Sequence, residues 1–146
     1  MADWALVRRL AGTSNLAVLC TTRADGSVHA SLVSAGVLDD PVDGTPSVAA
    51  VIAGAARKLP LLRRVGRATA VFTSGFEWVA VDGPTRLIGP DDPDGRFPEA
   101  DVPGLLRAVF VAAGGTHDDW ATYDRVMAEE RRTALFVHGA RVSGNG

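Results

Sequence analysis

Apolar letters recur along this chain at two spacings, and the places where one spacing gives way to the other mark the expected elements. Trp4, Leu6, Val7 and Leu10 fall at helical intervals with arginines on the other face, so residues 3–11 are predicted to form an amphipathic helix. Residues 15–22, NLAVLCTT, are rich in β-formers and lead into RADGS, whose Asp-Gly pair signals a hairpin turn. The return segment alternates through Val28, Ala30, Leu32 and Ser34, which predicts a second strand with one wetter face. After the loop PVDGTP, residues 47–53 (SVAAVIA) read as a short strand of mostly small side chains.

Gly54 ends that strand, and residues 57–65 are predicted to be helical. Pro60 is tolerated there only because it falls near the first turn, where a missing N–H has no intrahelical partner. RATAVFTS and EWVAVDGPTRLIG predict two more strands, the second with an irregularity at Gly83 and Pro84. A polar loop, PDDPDGRFPEADVPG, precedes helical patterns at residues 105–113 and 118–131, the latter placing Trp120, Tyr123 and Met127 on one face as core. RTALFVHGARV closes the chain as a strand. About six strands joined by short turns leave open edges unless the sheet closes on itself. The expected fold is therefore mainly β with peripheral helices: a six-stranded antiparallel barrel in a single domain over residues 1–146.

Composition narrows the function classes. Net charge is −2, which argues against nucleic acid as the main partner. Cys20 is the only cysteine, so neither an intrachain disulfide nor a cysteine-based zinc site is expected. The N-terminus carries an early acid and no apolar run before a small-residue cleavage site, and no stretch of about 18 apolar residues occurs. These features predict a soluble, cytoplasmic protein with no membrane partner. His29, His117 and His138 are scattered without ligand spacing, so no metal site is expected; His29 reads as a satisfied structural residue. There is no G-x-S-x-G elbow, and the acids of DDPDG and EADVPG sit in turn-rich loops, facing solvent. No residue stands out as a catalytic acid or base.

One position carries more chemistry. Lys58 is the only lysine among fifteen basic residues, and it follows Arg57 where the small-residue strand passes into a helix. A helix start bears free N–H groups and about half a positive charge, so two cations there are mildly unfavourable unless an anion lies over them. Phosphate fits, held by helix N–H groups, a guanidinium fork and an ammonium. A solvated helix start is the plain alternative. Trp78, at the head of a strand, either caps the core or lines a pocket for a planar ligand.

The order of these motifs resembles a known superfamily. Strand, DGS hairpin, second strand, small-residue strand, ARK at a helix start, RATAVF and EWVAVDGPTRLIGPDDP together are similar to the FMN-binding split β-barrel proteins of the pyridoxamine 5'-phosphate oxidase type. The tail GGTHDDWATYDRVMAEERRTALFV resembles more narrowly an actinobacterial branch of probable enzymes dependent on coenzyme F420. The resemblance, over residues 4–142, implies cofactor phosphate binding at Arg57 and Lys58 and a ring-lining strand at Val51, Ile52, Ala53 and Gly54. It places Ser31 where the oxidase has a phosphate-contacting arginine, and Trp78 where it has a flavin-contacting glutamine. With Ser31 and small neighbours on the second strand, and no counterpart of the oxidase's C-terminal substrate residues, pyridoxamine phosphate oxidation is not expected. A cofactor with its charge spread along a tail, as in F420, would meet Arg63, Arg64 or Arg67. The resemblance thus implies a homodimeric F420-dependent reductase acting on a small-molecule acceptor, with its site at the subunit boundary. An FMN-dependent oxidase or reductase, or a non-catalytic flavin or F420 carrier, are its alternatives.

Overall fold

Seven strands and four α-helices are laid out in a computed structural model, which describes residues 2–145. The N-terminal helix, α1 (Trp4–Ser14), starts where the Asp3 carboxylate accepts the Leu6 N–H at 3.0 Å. It ends at Asn15, whose left-handed backbone (φ 56°) returns its N–H to the Ala11 carbonyl. The predicted helix is thus extended by one further turn. Its apolar stripe, Leu6, Val7, Leu10 and Ala11, is buried against inward residues of the sheet.

The strands are β1 (Leu16–Thr22), β2 (Val28–Val37), β3 (Ser47–Ile52), β4 (Arg67–Ser74), β5 (Glu77–Ile88), β6 (Thr133–His138) and β7 (Arg141–Gly144). All pairings are antiparallel, and the order β4-β1-β2-β3-β6-β5 closes because β4 also pairs with β5. The result is the expected six-stranded barrel, and β7 extends the ladder of β5. The predicted final strand is present but interrupted. Thr85 pairs with Val137 and Asp82 with Arg141, so three steps on β5 answer four on the partner. One extra residue is accommodated around Gly139 and Ala140, which acts as a bulge and splits the strand in two. The predicted irregularity at Gly83 and Pro84, in contrast, does not interrupt β5.

Helix α2 (Lys58–Val65) begins one residue later than predicted, with Arg57 as its N-cap. Leu59 and Leu62 pack into the barrel core with Leu19, Phe72, Val79 and Val81. Each such fully buried side chain contributes about 1.5–3 kcal/mol. Helices α3 (Val102–Ala112) and α4 (Trp120–Glu129) lie outside the barrel, where Leu105, Leu106, Val109 and Tyr123 bury the outer faces of β3 and β6. This double coverage explains why SVAAVI and TALFVH read as near-continuous apolar runs rather than alternations. Gly36 permits it: a Cβ there would lie 1.9 Å from the Ala112 carbonyl oxygen at the end of α3.

The outer faces of β1, β2 and β4 have no such cover. Leu16 and Val18 alternate with buried neighbours, and Val28 and Leu32 with half-buried ones, yet all four are exposed, Leu32 by 63%. The predicted wetter face of β2 is therefore an uncovered apolar one. Val18 pairs across with both Leu32 and Val71, which makes this face continuous over three strands.

Candidate functional site

A cavity of about 470 Å³ opens where the covered and uncovered parts of the barrel wall meet. Its floor is the outer side of β2 and the end of β3: Leu32 and Ser34, then Val51, Ile52 and Ala53. Phe110 of α3, with Tyr123 and Met127 of α4, forms the opposite wall, and the Phe110 and Tyr123 rings stand 4.9 Å apart. Tyr123 therefore serves both the predicted core and the cavity. Burial pushes its hydroxyl pKa up, against the opposing positive charge of Arg132, and the hydroxyl donates to the Leu106 carbonyl at 3.0 Å. It is a neutral group with its proton already committed.

Of the expected site residues, the fold brings Val51, Ile52, Ala53 and Lys58 together on this wall. Lys58 is half-buried, and burial lowers its pKa from the ordinary lysine value. Among the described residues it has no carboxylate partner, and the first turn of α2 contains no acid. Arg57, one position earlier, is exposed and off the wall.

The remaining candidates stand elsewhere. Gly54 does meet a close backbone approach, but the backbone is the chain's own. Its N–H donates to the Glu130 carbonyl at 3.0 Å, and a Cβ would sit 2.7 Å from the Arg131 carbonyl oxygen. Ser31 faces the barrel interior opposite Leu19, its Oγ buried without a hydrogen-bond partner. His29 Nδ1 is likewise buried and unpartnered, so the expectation of a satisfied histidine fails at that atom. Trp78 heads β5 on the outward face, part-exposed beside the wholly exposed Phe76 at the β4–β5 turn. Arg63, Arg64 and Arg67, expected near an acidic tail, are engaged elsewhere: with Asp92 at 2.8 Å, the Thr22 carbonyl at 2.8 Å and Asp82 at 3.4 Å.

Sequence reasoning missed Arg132, which borders the cavity just before β6. Its signal lay in strand register alone. Ile52 pairs with Thr133, so one step further Ala53 comes level with Arg132. Its Nε and Nη2 both reach one oxygen of Glu130, at 2.9 and 2.7 Å. Arg132 and Met127 also border a second cavity of about 290 Å³ between α3 and α4.

A second polar centre lies around Arg86. Asp40, Asp43 and His138 offer ligand atoms within 4.8 Å of one another, a proximity that their spacing in the sequence conceals. A metal is a poor fit there because a guanidinium already neutralises the acids: Arg86 Nε donates to Asp40 at 2.5 Å, Nη1 to Asp94 at 3.0 Å and Nη2 to Asp43 at 3.3 Å. Asp40, fully buried, would have its pKa raised by desolvation. Hydrogen bonds from Arg86, the Val42 N–H and His138 outweigh this and hold it below the usual carboxylate range.

No protein-family model matches the chain, and no curated protein matches it either. Solved structures do. A conserved hypothetical protein from Mycobacterium tuberculosis aligns over 99% of this chain and 84% of its own, with 19% identity and a TM-score of 0.68. A candidate 5-nitroimidazole antibiotic resistance protein from Bacteroides thetaiotaomicron aligns over the same shares with 11% identity and a TM-score of 0.72. The third is a pyridoxamine 5'-phosphate oxidase-related, FMN-binding protein from Nostoc punctiforme, at 12% identity, TM-score 0.66 and the same coverage. The chain has the split β-barrel fold. At these identities the likeness establishes the fold, which agrees with the motif order of the sequence. No described helix is long and apolar enough to cross a membrane.

Proposed function

We propose that the chain binds a phosphate-bearing flavin or deazaflavin in the cavity at the end of β3, and acts as a homodimeric oxidoreductase on an unsaturated organic acceptor. The observation that carries this reading is Lys58: a half-buried ammonium on a cavity wall, with no carboxylate partner among the described residues. A desolvated cation without a partner is costly, and a ligand phosphate supplies the missing charge. The Val51–Ala53 stretch and the Phe110 and Tyr123 rings offer an apolar slot of suitable volume for a planar ring system.

The bound cofactor supplies hydride chemistry, and the chain's part is to orient and enclose it. Lys58 anchors the phosphate, Val51, Ile52 and Ala53 set the ring plane, and Phe110 and Met127 exclude water. Tyr123 is not assigned as a proton donor, because its hydroxyl is bound to Leu106 and burial favours the neutral form. A second copy is the natural cover for the apolar face of β1, β2 and β4, since that face runs into the cavity through Leu32. Trp78 lies on an uncovered outward face as well, so its contribution to a site would run through the partner copy.

F420 is the first assignment, resting on the resemblance of residues 114–137 to the F420-dependent branch. FMN is the second, favoured by the likeness to the FMN-binding protein of Nostoc punctiforme. The test is turnover: reduced F420, or reduced FMN, mixed with the protein and a panel of enones and nitroaromatics. Cofactor oxidation faster than the protein-free rate supports the oxidoreductase reading. Tight binding without turnover on any acceptor replaces it with a carrier.

A further inference from the structure

Two cations border the cavity, and only one of them belongs to the helix start. Lys58 opens α2, while Arg132 reaches the same end of β3 from just ahead of β6, one step beyond the Ile52–Thr133 pair. The backbone locks the two segments together, since the Gly54 N–H donates to the Glu130 carbonyl at 3.0 Å. Arg57, in contrast, is exposed, off the cavity wall, and without a side-chain hydrogen bond at the helix start.

We propose that Arg132, rather than Arg57, is the second cation of the anion site, and that Glu130 occupies its guanidinium until a ligand's phosphate or carboxylate takes that place. The inference rests on the cofactor reading above and specifies which charges receive the anion. Arg132 suits the exchange. Its Nε and Nη2 converge on a single oxygen of Glu130, a geometry poorer than the two-oxygen fork that a phosphate or a well-placed carboxylate offers. Glu130 is also part-exposed and can turn toward water when displaced. The arginines expected near an acidic tail are engaged elsewhere: Arg63 is held by both oxygens of Asp92, Arg64 by the Thr22 carbonyl and Arg67 by Asp82. Arg131, next to Arg132, is forked onto Asp91 and faces the second cavity.

The experiment is fluorescence titration of FMN, with F420 in parallel and riboflavin as the phosphate-free control, against wild type, Arg132→Ala, Arg57→Ala and Glu130→Gln. Arg132→Ala is expected to weaken FMN and F420 by about ten- to a hundredfold, the loss of a hydrogen bond to a charged group, and to leave riboflavin unchanged. Arg57→Ala should stay within about twofold of wild type, as an exposed charge does. Glu130→Gln should bind the anionic ligands more tightly by about two- to fivefold, because the competing carboxylate charge is gone. Loss of affinity in Arg57→Ala with none in Arg132→Ala overturns the inference and leaves the cofactor reading standing. Unchanged affinity in Glu130→Gln overturns it too, and decides the matter if Arg132→Ala does not fold. Wild type that binds neither FMN nor F420 overturns both readings.

Discussion

Replacing Asp40 by alanine should be among the most destabilising single changes available to this chain. Its carboxylate is completely covered: one oxygen accepts from Arg86 Nε at 2.5 Å and lies 2.6 Å from His138 Nε2, and the other accepts the Val42 N–H at 2.8 Å. The network joins the β2–β3 loop to β5 and β6, so its loss touches three parts of the barrel. Breaking a buried pair by removing one partner costs about 3–5 kcal/mol. Arg86 keeps Asp94 and Asp43, so its charge is not stranded and the lower part of that range, about 3 kcal/mol, is expected. For a domain of this length, that corresponds to a fall in Tm of about 6–12 °C. Asp40→Asn, which preserves size and the Val42 contact, should lose about half as much, since a neutral acceptor still pairs with Arg86.

The pH dependence has a definite sign. The folded pKa of Asp40 is depressed, so its contribution is present above the unfolded value of about 3.9 and is lost as pH falls through the lower folded value. The gap between wild type and mutant should therefore be full at neutral pH and shrink in acid. Urea melts and calorimetry at pH 7 and in acid measure it. A Tm for Asp40→Ala within about 2 °C of wild type at pH 7 would refute the reasoning, because that is less than 1 kcal/mol.

Other outcomes follow from the same structure. Val18→Glu places a charge in the middle of the uncovered apolar face without touching the cavity, so light scattering should show the mass of a dimer halve; an unchanged dimer means that this face is not the interface. Because burial lowers the Lys58 pKa, affinity for an anionic cofactor should be complete below that folded value and fall as pH rises through it, earlier than for a lysine in water. Lys58→Arg should hold its affinity over the same alkaline range, and parallel curves for the two would reject the assignment. Gly54→Ala forces a Cβ against the carbonyls of Glu130 and Arg131 and should cost about 1–3 kcal/mol in a denaturant melt; a neutral effect would mean that the turn yields freely.

Local pattern carried most of the fold. RATAVFTS became β4 to the residue, because alternation with one buried face is a property of the segment itself. SVAAVI and TALFVH were recognisable as strands from their length and small apolar content, although the helices that cover them could not be placed. What escaped was set by pairing. The bulge at Gly139 and Ala140 depends on how β5 is shared between β6 and β7. Arg132 is the first letter of RTALFVHGARV, the segment expected as the last strand, and only its register beside Ala53 brings it to the cavity. Asp40 and His138 are 98 positions apart and meet through a closed barrel. At the helix start, Lys58 lies on the cavity wall and Arg57, the N-cap before it, does not.

Whether the cavity at the end of β3 holds a cofactor phosphate against Lys58 is decided by calorimetric titration of F420 and of FMN into wild type and Lys58→Ala. Wild type should bind at least one of the two. Lys58→Ala should weaken that binding by about 1.5–3 kcal/mol, ten- to a hundredfold, while folding stability stays unchanged or rises slightly as a desolvated cation leaves the positive end of a helix. Equal affinity in the two proteins, both folded, would contradict it.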